Sequence, residues 1–314
     1  MKATTDTYTG NIGLWFYRSF FNEYFKPETP PESNEKVFAP WLKKQVDPVL
    51  NSNWGVYKDN FEADEMNSFA DTKFQLTTIY PGLVCGIGYE HELTFTNEFK
   101  LGFSFDHTTG LPYIPGSSVK GTLRSAFKHN GYPKSILEDW IEAINNSSSG
   151  KTYPKELIDE EDKSKELNEK LKILEEQLKK VVENIDWEKL ERNIFEGKPY
   201  SGDKPLNSYE TNVFFDAFIS KNENDNDFFL ADDYITCHQN NKHPELSPFT
   251  NPNPVRFLKV RSDVEFTFGF RLSDTDIGEG ISFSKDFKRE LFKQILLDLG
   301  IGAKTNVGYG QFVQ

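Results

Sequence analysis

The sequence predicts an α+β fold, and three observations predict it. Phe74, Leu76, Thr78 and Tyr80 alternate with polar neighbours until Pro81-Gly82, the pattern of a half-buried strand that ends in a turn. Val264, Phe266, Phe268, Phe270 and Leu272 alternate in the same way and give the clearest strand of the chain. Phe287, Leu291, Ile295 and Leu299 then recur every four residues, which is helical spacing, and Gly300 closes that helix ahead of a last strand over 309–313. Strand, helix, glycine-rich loop and strand thus follow one another at the C-terminal end.

The remaining elements follow in chain order. Leu14, Tyr17, Phe21 and Tyr24 sit at three- and four-residue spacing, so 12–25 reads as an amphipathic helix that Pro27, Pro30 and Pro31 end. Residues 32–72 have few clear periods and an acidic cluster (Asp59, Glu62, Asp64, Glu65, Asp71), and read as irregular structure with a short helix. A second strand is expected over 93–105. The stretch from Gly110 leads directly into a helix running to about 129, with Ser117 or Ser118 as its cap. Leu167, Leu171, Leu174, Leu178, Val181 and Ile185 form a heptad seam inside a charged stretch, 155–192. With only about three heptads, packing within the chain is expected over an intermolecular coiled coil. Val213 to Ile219 reads as a strand and 223–233 as an acidic loop.

Composition bounds the function. The chain has 314 residues, enough for a sizeable core, and 15% of them are aromatic, too rich in large apolar groups for disorder. Two cysteines, Cys85 and Cys237, provide neither a disulfide framework nor a Cys-x-x-Cys zinc pair, which fits a reducing cytoplasm. The apolar stretch Leu14 to Tyr17 is cut short by Arg18, far below the roughly 20 residues that span a bilayer. Neither a signal peptide nor a membrane anchor is expected.

The candidate chemistry lies in two glycine-rich elements. Gly116-Ser-Ser-Val-Lys-Gly-Thr122 is not a phosphate-binding P-loop, because Thr122 stands where that motif needs its Lys. It still offers amides at a helix start, the hydroxyls of Ser117 and Ser118, and Lys120, Arg124 and Lys128 on one helical face, a surface suited to phosphates. From Lys100 to Lys134 five positive charges face one negative, inside a chain of net charge −13. The second element, Gly300 to Gly310, lets backbone amides approach a ligand closely, and Lys304, Thr305 and Asn306 supply a charge and neutral donors beside Gly302 and Gly308. Arg256, Lys259 and Arg261 are possible further phosphate contacts.

Metal and hydrolytic signals are poor. His91-Glu92 begins like a zinc-protease helix, but Phe95 replaces the second His. His238 and His243 lack a zinc-ligand spacing, and Asp274-Thr275-Asp276 reads as a turn cap. No metal and no cofactor is expected. His107, next to Asp106, is the one His to test as a general acid or base.

Together, Leu111-Pro-Tyr-Ile-Pro-Gly-Ser-Ser-Val-Lys-Gly-Thr-Leu-Arg-Ser-Ala-Phe127 and Gly300-Ile-Gly-Ala-Lys-Thr-Asn-Val-Gly-Tyr-Gly-Gln-Phe312 resemble the RAMP superfamily of CRISPR proteins. The terminal block looks most like subunit six of the type III-B (Cmr) effector complexes. Asn11-Ile-Gly-Leu, Val213-Phe-Phe-Asp-Ala217, Tyr234-Ile-Thr-Cys-His238 and Asn253-Pro-Val-Arg-Phe-Leu258 add to the likeness, although members tend to have Pro where Cys237 stands.

The resemblance implies a ferredoxin-like, RNA-recognition-type antiparallel sheet with helices on one face. It implies one domain over 1–314, with an N-terminal extension over 1–72 and a charged helical insertion over about 150–195. It further implies a non-catalytic subunit that holds guide RNA near its 3′ end and the guide–target duplex. Its partners would be the backbone nuclease subunit, the small helical subunit and the terminal RAMP subunit. A RAMP endoribonuclease using His107 and Asp106, and a protein scaffold with little RNA contact, are the alternatives. The acidic total charge is reconciled by segregation: the stretch 155–192 carries nine positive and 13 negative residues, whereas the glycine-rich elements stay basic.

Overall fold

The computed structural model describes residues 10–18, 43–44, 46–57, 68–86, 99, 103–129, 131–146, 148–158, 166–222, 228–237 and 253–314. The strands are β1 (Thr72–Thr78), β2 (Tyr113–Ile114), β3 (Val213–Phe214), β4 (Ala217–Asn222), β5 (Leu230–Cys237), β6 (Asn253–Val260), β7 (Val264–Arg271), β8 (Thr275–Gly278), β9 (Ile281–Phe283) and β10 (Phe312–Val313). The longer helices are α1 (Ile12–Tyr17), α2 (Gly116–Lys128), α3 (Tyr132–Asn145), α4 (Leu167–Asn184), α5 (Trp187–Glu196) and α6 (Lys285–Leu299).

The main sheet runs β10-β1-β7-β4-β2, with β3 also paired to β7, and every pairing is antiparallel. This is the α+β class with an antiparallel sheet. Alternation decides which face is core: Phe74 pairs with Phe268 and Leu76 with Phe266, and all four are buried, whereas Gln75, opposite Thr267, points the other way and is exposed. On the buried face the phenylalanines stack. The ring of Phe74 lies 5.5 Å from Phe268 and 5.4 Å from Phe270, both nearly parallel. Phe292 of α6 reaches Phe270 and Phe214, and Phe195 of α5 stacks on Phe214. Offset and tilted pairs of this kind add about 0.5–1.5 kcal/mol each beyond the area they bury, which accounts for a core written so largely in Phe.

Helix α6 forms as the spacing predicts, with Ser284 capping it through a 3.1 Å bond from Phe287 N–H and Leu299 as its last residue. Helix α2 differs at its start. Pro115 is its cap residue, Ser117 and Ser118 lie inside the first turn and are exposed, and the Gly116 N–H donates to Asp216 Oδ1 at 2.6 Å. The capping role expected of Ser117 or Ser118 is therefore taken by a carboxylate a hundred residues away. That same Asp216 explains why Val213 to Ile219 is two strands: the chain turns aside at Phe215–Asp216 to reach the helix.

The seam of α4 is buried within the chain at Leu174, Leu178 and Val181, where the helix packs on α3, while Leu167 at its start is 59% exposed. Helix α3 and the hairpins β5–β6 and β8–β9 have no counterpart in the sequence expectation, and α5 lies within the stretch expected as helical over about 150–195. Residues 230–233 belong to β5 rather than to an acidic loop. The last strand shrinks to Phe312–Val313, since residues 300–310 are committed to tight turns. Of the helix expected over 12–25, residues 12–17 are helical, and Phe21 and Tyr24 lie outside the described residues, as do Asp59, Glu62, Asp64, Glu65, His91, Glu92, Lys100, His238, His243 and most of 93–102. Among the described residues, no helix is long and apolar enough to cross a membrane.

Candidate nucleic-acid interface

The C-terminal glycine-rich element is a closed loop. Ile301 N–H donates to the Gly310 carbonyl at 2.9 Å, so the two ends of the loop meet above buried Ile301. Gly310 must be glycine: its φ is +69°, and a Cβ there would stand 1.9 Å from the Ile301 carbonyl oxygen. Two further backbone bonds dock the loop on the segment after β1, Ala303 N–H to Val84 O and Gly310 N–H to Gly82 O, both 2.8 Å. Lys304 adopts the left-handed conformation, φ 63°, and opens a 3₁₀ turn over Thr305–Val307. Gly302, Asn306 and Val307 are exposed, and Lys304, Thr305 and Gly308 are half-buried.

Beneath the loop lies a bed of cations and rings supplied by the β5–β6 hairpin. Lys304 Nζ sits 5.4 Å from the Phe257 ring, and Lys259 Nζ sits 5.6 Å from Tyr309 and 5.9 Å from Tyr80. Arg256 lies 5.0 Å from Phe99 and 5.9 Å from Tyr234. Asp233 ties the bed together: its Oδ2 accepts from Lys259 Nζ at 2.6 Å and from the Tyr309 hydroxyl at 2.7 Å. Burial alone would raise the Asp233 carboxyl, but bonds from Lys259, Tyr309 and the Tyr234 N–H outweigh it and hold the group below its ordinary value. Tyr309 is pushed up, first by burial and then by the bond to that carboxylate.

The three cations proposed as extra phosphate contacts are thus already engaged. Arg256 pairs with Asp232 through Nε at 2.8 Å and Nη2 at 2.7 Å, Lys259 with Asp233, and Arg261 Nε donates to the Leu230 carbonyl. Lys304 has no carboxylate partner among the described residues.

The first glycine-rich element behaves differently. The Gly116 amide is taken by Asp216, and Arg124 is held by both Glu191 and Glu196, which raise its affinity for the proton further. The anion site expected at this helix start is thus filled from within the chain. Lys120 lies 5.8 Å from the Phe214 ring, and Lys128, Ser117 and Ser118 are exposed. Helix α2 follows β2, at one end of the strand order, and the 302–308 loop precedes β10, at the other. No hydrogen bond, ion pair or ring contact among the described residues links the two groups.

Asp106 and His107 form a turn. Asp106 Oδ1 accepts from Thr108 N, Thr109 N and Thr109 Oγ1, and the exposed His107 offers its carbonyl to Asn11 Nδ2. Among the described residues no group of three or more His, Cys, Asp or Glu is arranged to hold a metal ion. Tyr80, Asp233 and Tyr309 were missed as site residues. Tyr80 carried a signal, a large ring placed beside a Pro-Gly turn, and so did Tyr309, which lies between two glycines of the second candidate element.

The model of one family, the RAMP superfamily, matches residues 75–313. The chain belongs to the RAMP superfamily. Both glycine-rich elements of this RAMP protein fall inside the matched region. Its curated relatives include the CRISPR system Cmr subunit Cmr6 of Pyrococcus furiosus, 31% identical over 252 residues, which is 74% of this chain and 65% of that protein. The CRISPR system CMR subunit Cmr6 of Saccharolobus solfataricus is 25% identical over 68% of this chain and 49% of that protein. The match therefore spans less than two thirds of either relative's length. Among solved structures, a chain of the Type III-B Cmr-beta complex bound to cognate target RNA aligns with a TM-score of 0.48 and 20% identity, over 95% of this chain and 86% of that one. The crystal structure of Cmr6 from Pyrococcus furiosus aligns with a TM-score of 0.33 and 22% identity, over 77% and 95%.

Proposed function

We propose that this RAMP protein is a non-cleaving, RNA-holding subunit of a cytoplasmic type III-B (Cmr) CRISPR effector complex. It grips the sugar-phosphate backbone of guide RNA near the 3′ end, and the guide–target duplex, with the 302–308 loop. Its neighbours are the backbone nuclease subunit, the small helical subunit and the terminal RAMP subunit. The observation that carries the reading is Lys304: a cation in a left-handed turn of a glycine-rich loop, without a carboxylate partner among the described residues, inside the family match. Gly302, Thr305 and Asn306 flank it with polar groups, Gly308 closes the turn by donating its N–H to the Thr305 carbonyl, and Lys120 and Lys128 offer a second, weaker contact.

The strand order β10-β1-β7-β4, with α2 and α6 in the two crossovers, supports a ferredoxin-like reading of the sheet. We read 1–314 as one such domain, with an N-terminal extension over 1–72 and a helical insertion over about 150–195. The three donors on Asp106 Oδ1 argue for a turn cap over a proton-transfer pair, which favours holding over cutting.

The test is the salt dependence of guide RNA binding in the reconstituted complex. Lys304→Ala should weaken binding alike for all RNA sequences and reduce the log–log salt slope by about one, and adding Lys120→Ala should reduce it again. Unchanged affinity and slope in the double variant would overturn the reading.

A further inference from the structure

Tyr80 stands out in the described structure because its backbone is fixed while its side chain is not covered. The residue follows β1 and is 84% exposed. On either side the chain is locked: Ile79 N–H donates to the Gln311 carbonyl at 3.1 Å, and Gly82 N–H to the Ile79 carbonyl at 2.7 Å. Leu83 and Val260 exchange a pair of backbone bonds at 2.9 and 2.8 Å. At Gly82 any Cβ would lie 2.1 Å from the Val260 carbonyl oxygen, so the turn seats directly on the hairpin backbone. Tyr80 has no ring partner among the described residues. Its one recorded neighbour of this kind is the Lys259 ammonium, which Asp233 holds 5.9 Å from the ring. A Cβ placed on Gly308 would come 3.5 Å from the Pro81 ring, so the glycine-rich loop lies against the turn that carries Tyr80.

An aromatic face left in water on a backbone hydrogen-bonded on both sides, beside a positively charged loop, has the properties of a stacking platform. Every nucleobase has a π-face, and stacking on an exposed aromatic ring is favourable whatever the base, while phosphates flanking that base are drawn to cations nearby. Beside Tyr80 stand the exposed Ile79 and the Lys259 ammonium that Asp233 holds, a mixed surface rather than the broad apolar patch that a folded protein partner favours. We infer that Tyr80 stacks on one unpaired nucleobase of the RNA strand whose backbone follows the 302–308 loop, with Lys304 on a flanking phosphate. This rests on the reading of the loop as an RNA site.

The test uses the reconstituted complex and guide RNA carrying 5-iodouridine at successive positions. Irradiation should give a cross-link to Tyr80 at one position, or two adjacent ones. Tyr80→Ala should weaken guide RNA binding roughly 5- to 100-fold with the salt slope unchanged, since no phosphate contact is lost, and Tyr80→Phe and Tyr80→Trp should retain it. Thermal stability should stay at the wild-type level, because the ring is exposed. Wild-type affinity in Tyr80→Ala, with no cross-link at any position, overturns the inference; a Lys304→Ala effect on the slope would still leave the loop reading standing. Should Tyr80→Ala instead release a protein subunit while RNA affinity holds, the ring is a protein contact and the inference also fails.

Discussion

Asp233 and Tyr309 meet across 76 positions of sequence, the phenol donating to the carboxylate at 2.7 Å, and the same oxygen receives Lys259. Strand β5 is in this way tied to the C-terminal loop by one side chain.

Tyr309→Phe should cost about 1 kcal/mol and Asp233→Asn about 1–3 kcal/mol, the latter more because it strands Lys259. A double-mutant cycle followed by thermal unfolding should show coupling between them, and additive losses would deny the shared bond its role. The pH dependence has a definite sign. The folded Asp233 carboxyl lies below its unfolded value, so its contribution is present above about pH 4 and is lost as pH falls through the lowered folded value. Asp233→Asn should flatten that acid limb of the stability curve.

Gly310→Ala should be among the most damaging single changes in the chain. The new methyl would enter the space of the Ile301 carbonyl at a φ of +69°, and the strain should exceed about 3 kcal/mol unless the loop opens. Limited proteolysis would detect opening as new cleavage within 300–310. An unchanged unfolding midpoint and cleavage pattern would show that the loop closes some other way.

Arg124→Ala should act on stability more than on RNA. Its guanidinium neutralises Glu191, whose side chain is only 12% exposed, and removal leaves that carboxylate unpaired at a cost of about 1–3 kcal/mol. Glu191→Gln in the same background should restore part of the loss, as measured by denaturant unfolding. A salt slope lowered by one in Arg124→Ala would instead mark a phosphate contact.

What the sequence made legible is the part in which one segment carries its own pattern. β7 and α6 were readable because each repeats its apolar residues with a single period, and the glycine-rich loop because glycine at that density has a backbone reason. The β5–β6 hairpin was not. Asp232 and Asp233 look like loop residues until Arg256 and Lys259 of the neighbouring strand neutralise them, and that pairing exists only after folding. Helix α3 carried a legible signal that went unread, Pro133 in its first turn followed by Ile136, Leu137 and Trp140 on one face. The candidate site draws on Tyr80, Asp233, Phe257, Lys259 and Lys304, four separate stretches of chain, so the sequence shows its glycine-rich stretch and the charge of Lys259 but not the rings and the carboxylate that folding sets around them.

Lys288 should set an unusual alkaline trend. Its ammonium is buried, bonded to the Ser273 carbonyl and to Thr275 Oγ1 at 2.8 Å, and burial pushes it down to about 7 despite Asp274. Between that value and its unfolded value near 10, the unfolded chain binds more protons, so stability should rise with pH, by at most ~1.4 kcal/mol per unit. The clean window is about pH 7 to 8, because buried Cys85, pushed up to about 12, works in the opposite direction once the unfolded thiol begins to ionise above about pH 8. Thermal melts of Lys288→Met should lack the rise. An equal rise in the variant would assign it elsewhere.

The bond between Gly116 and Asp216 joins the start of α2 to the bend between β3 and β4, so the segment between them leaves and rejoins the sheet at one point, with α2, α5 and β3 packed back on it. Such a clasp fixes both feet of the excursion at the sheet. Because closing a longer loop adds only about 0.6 kcal/mol per doubling, a change of length between the clasped ends costs little chain entropy so long as α2, α5 and β3 keep their packing.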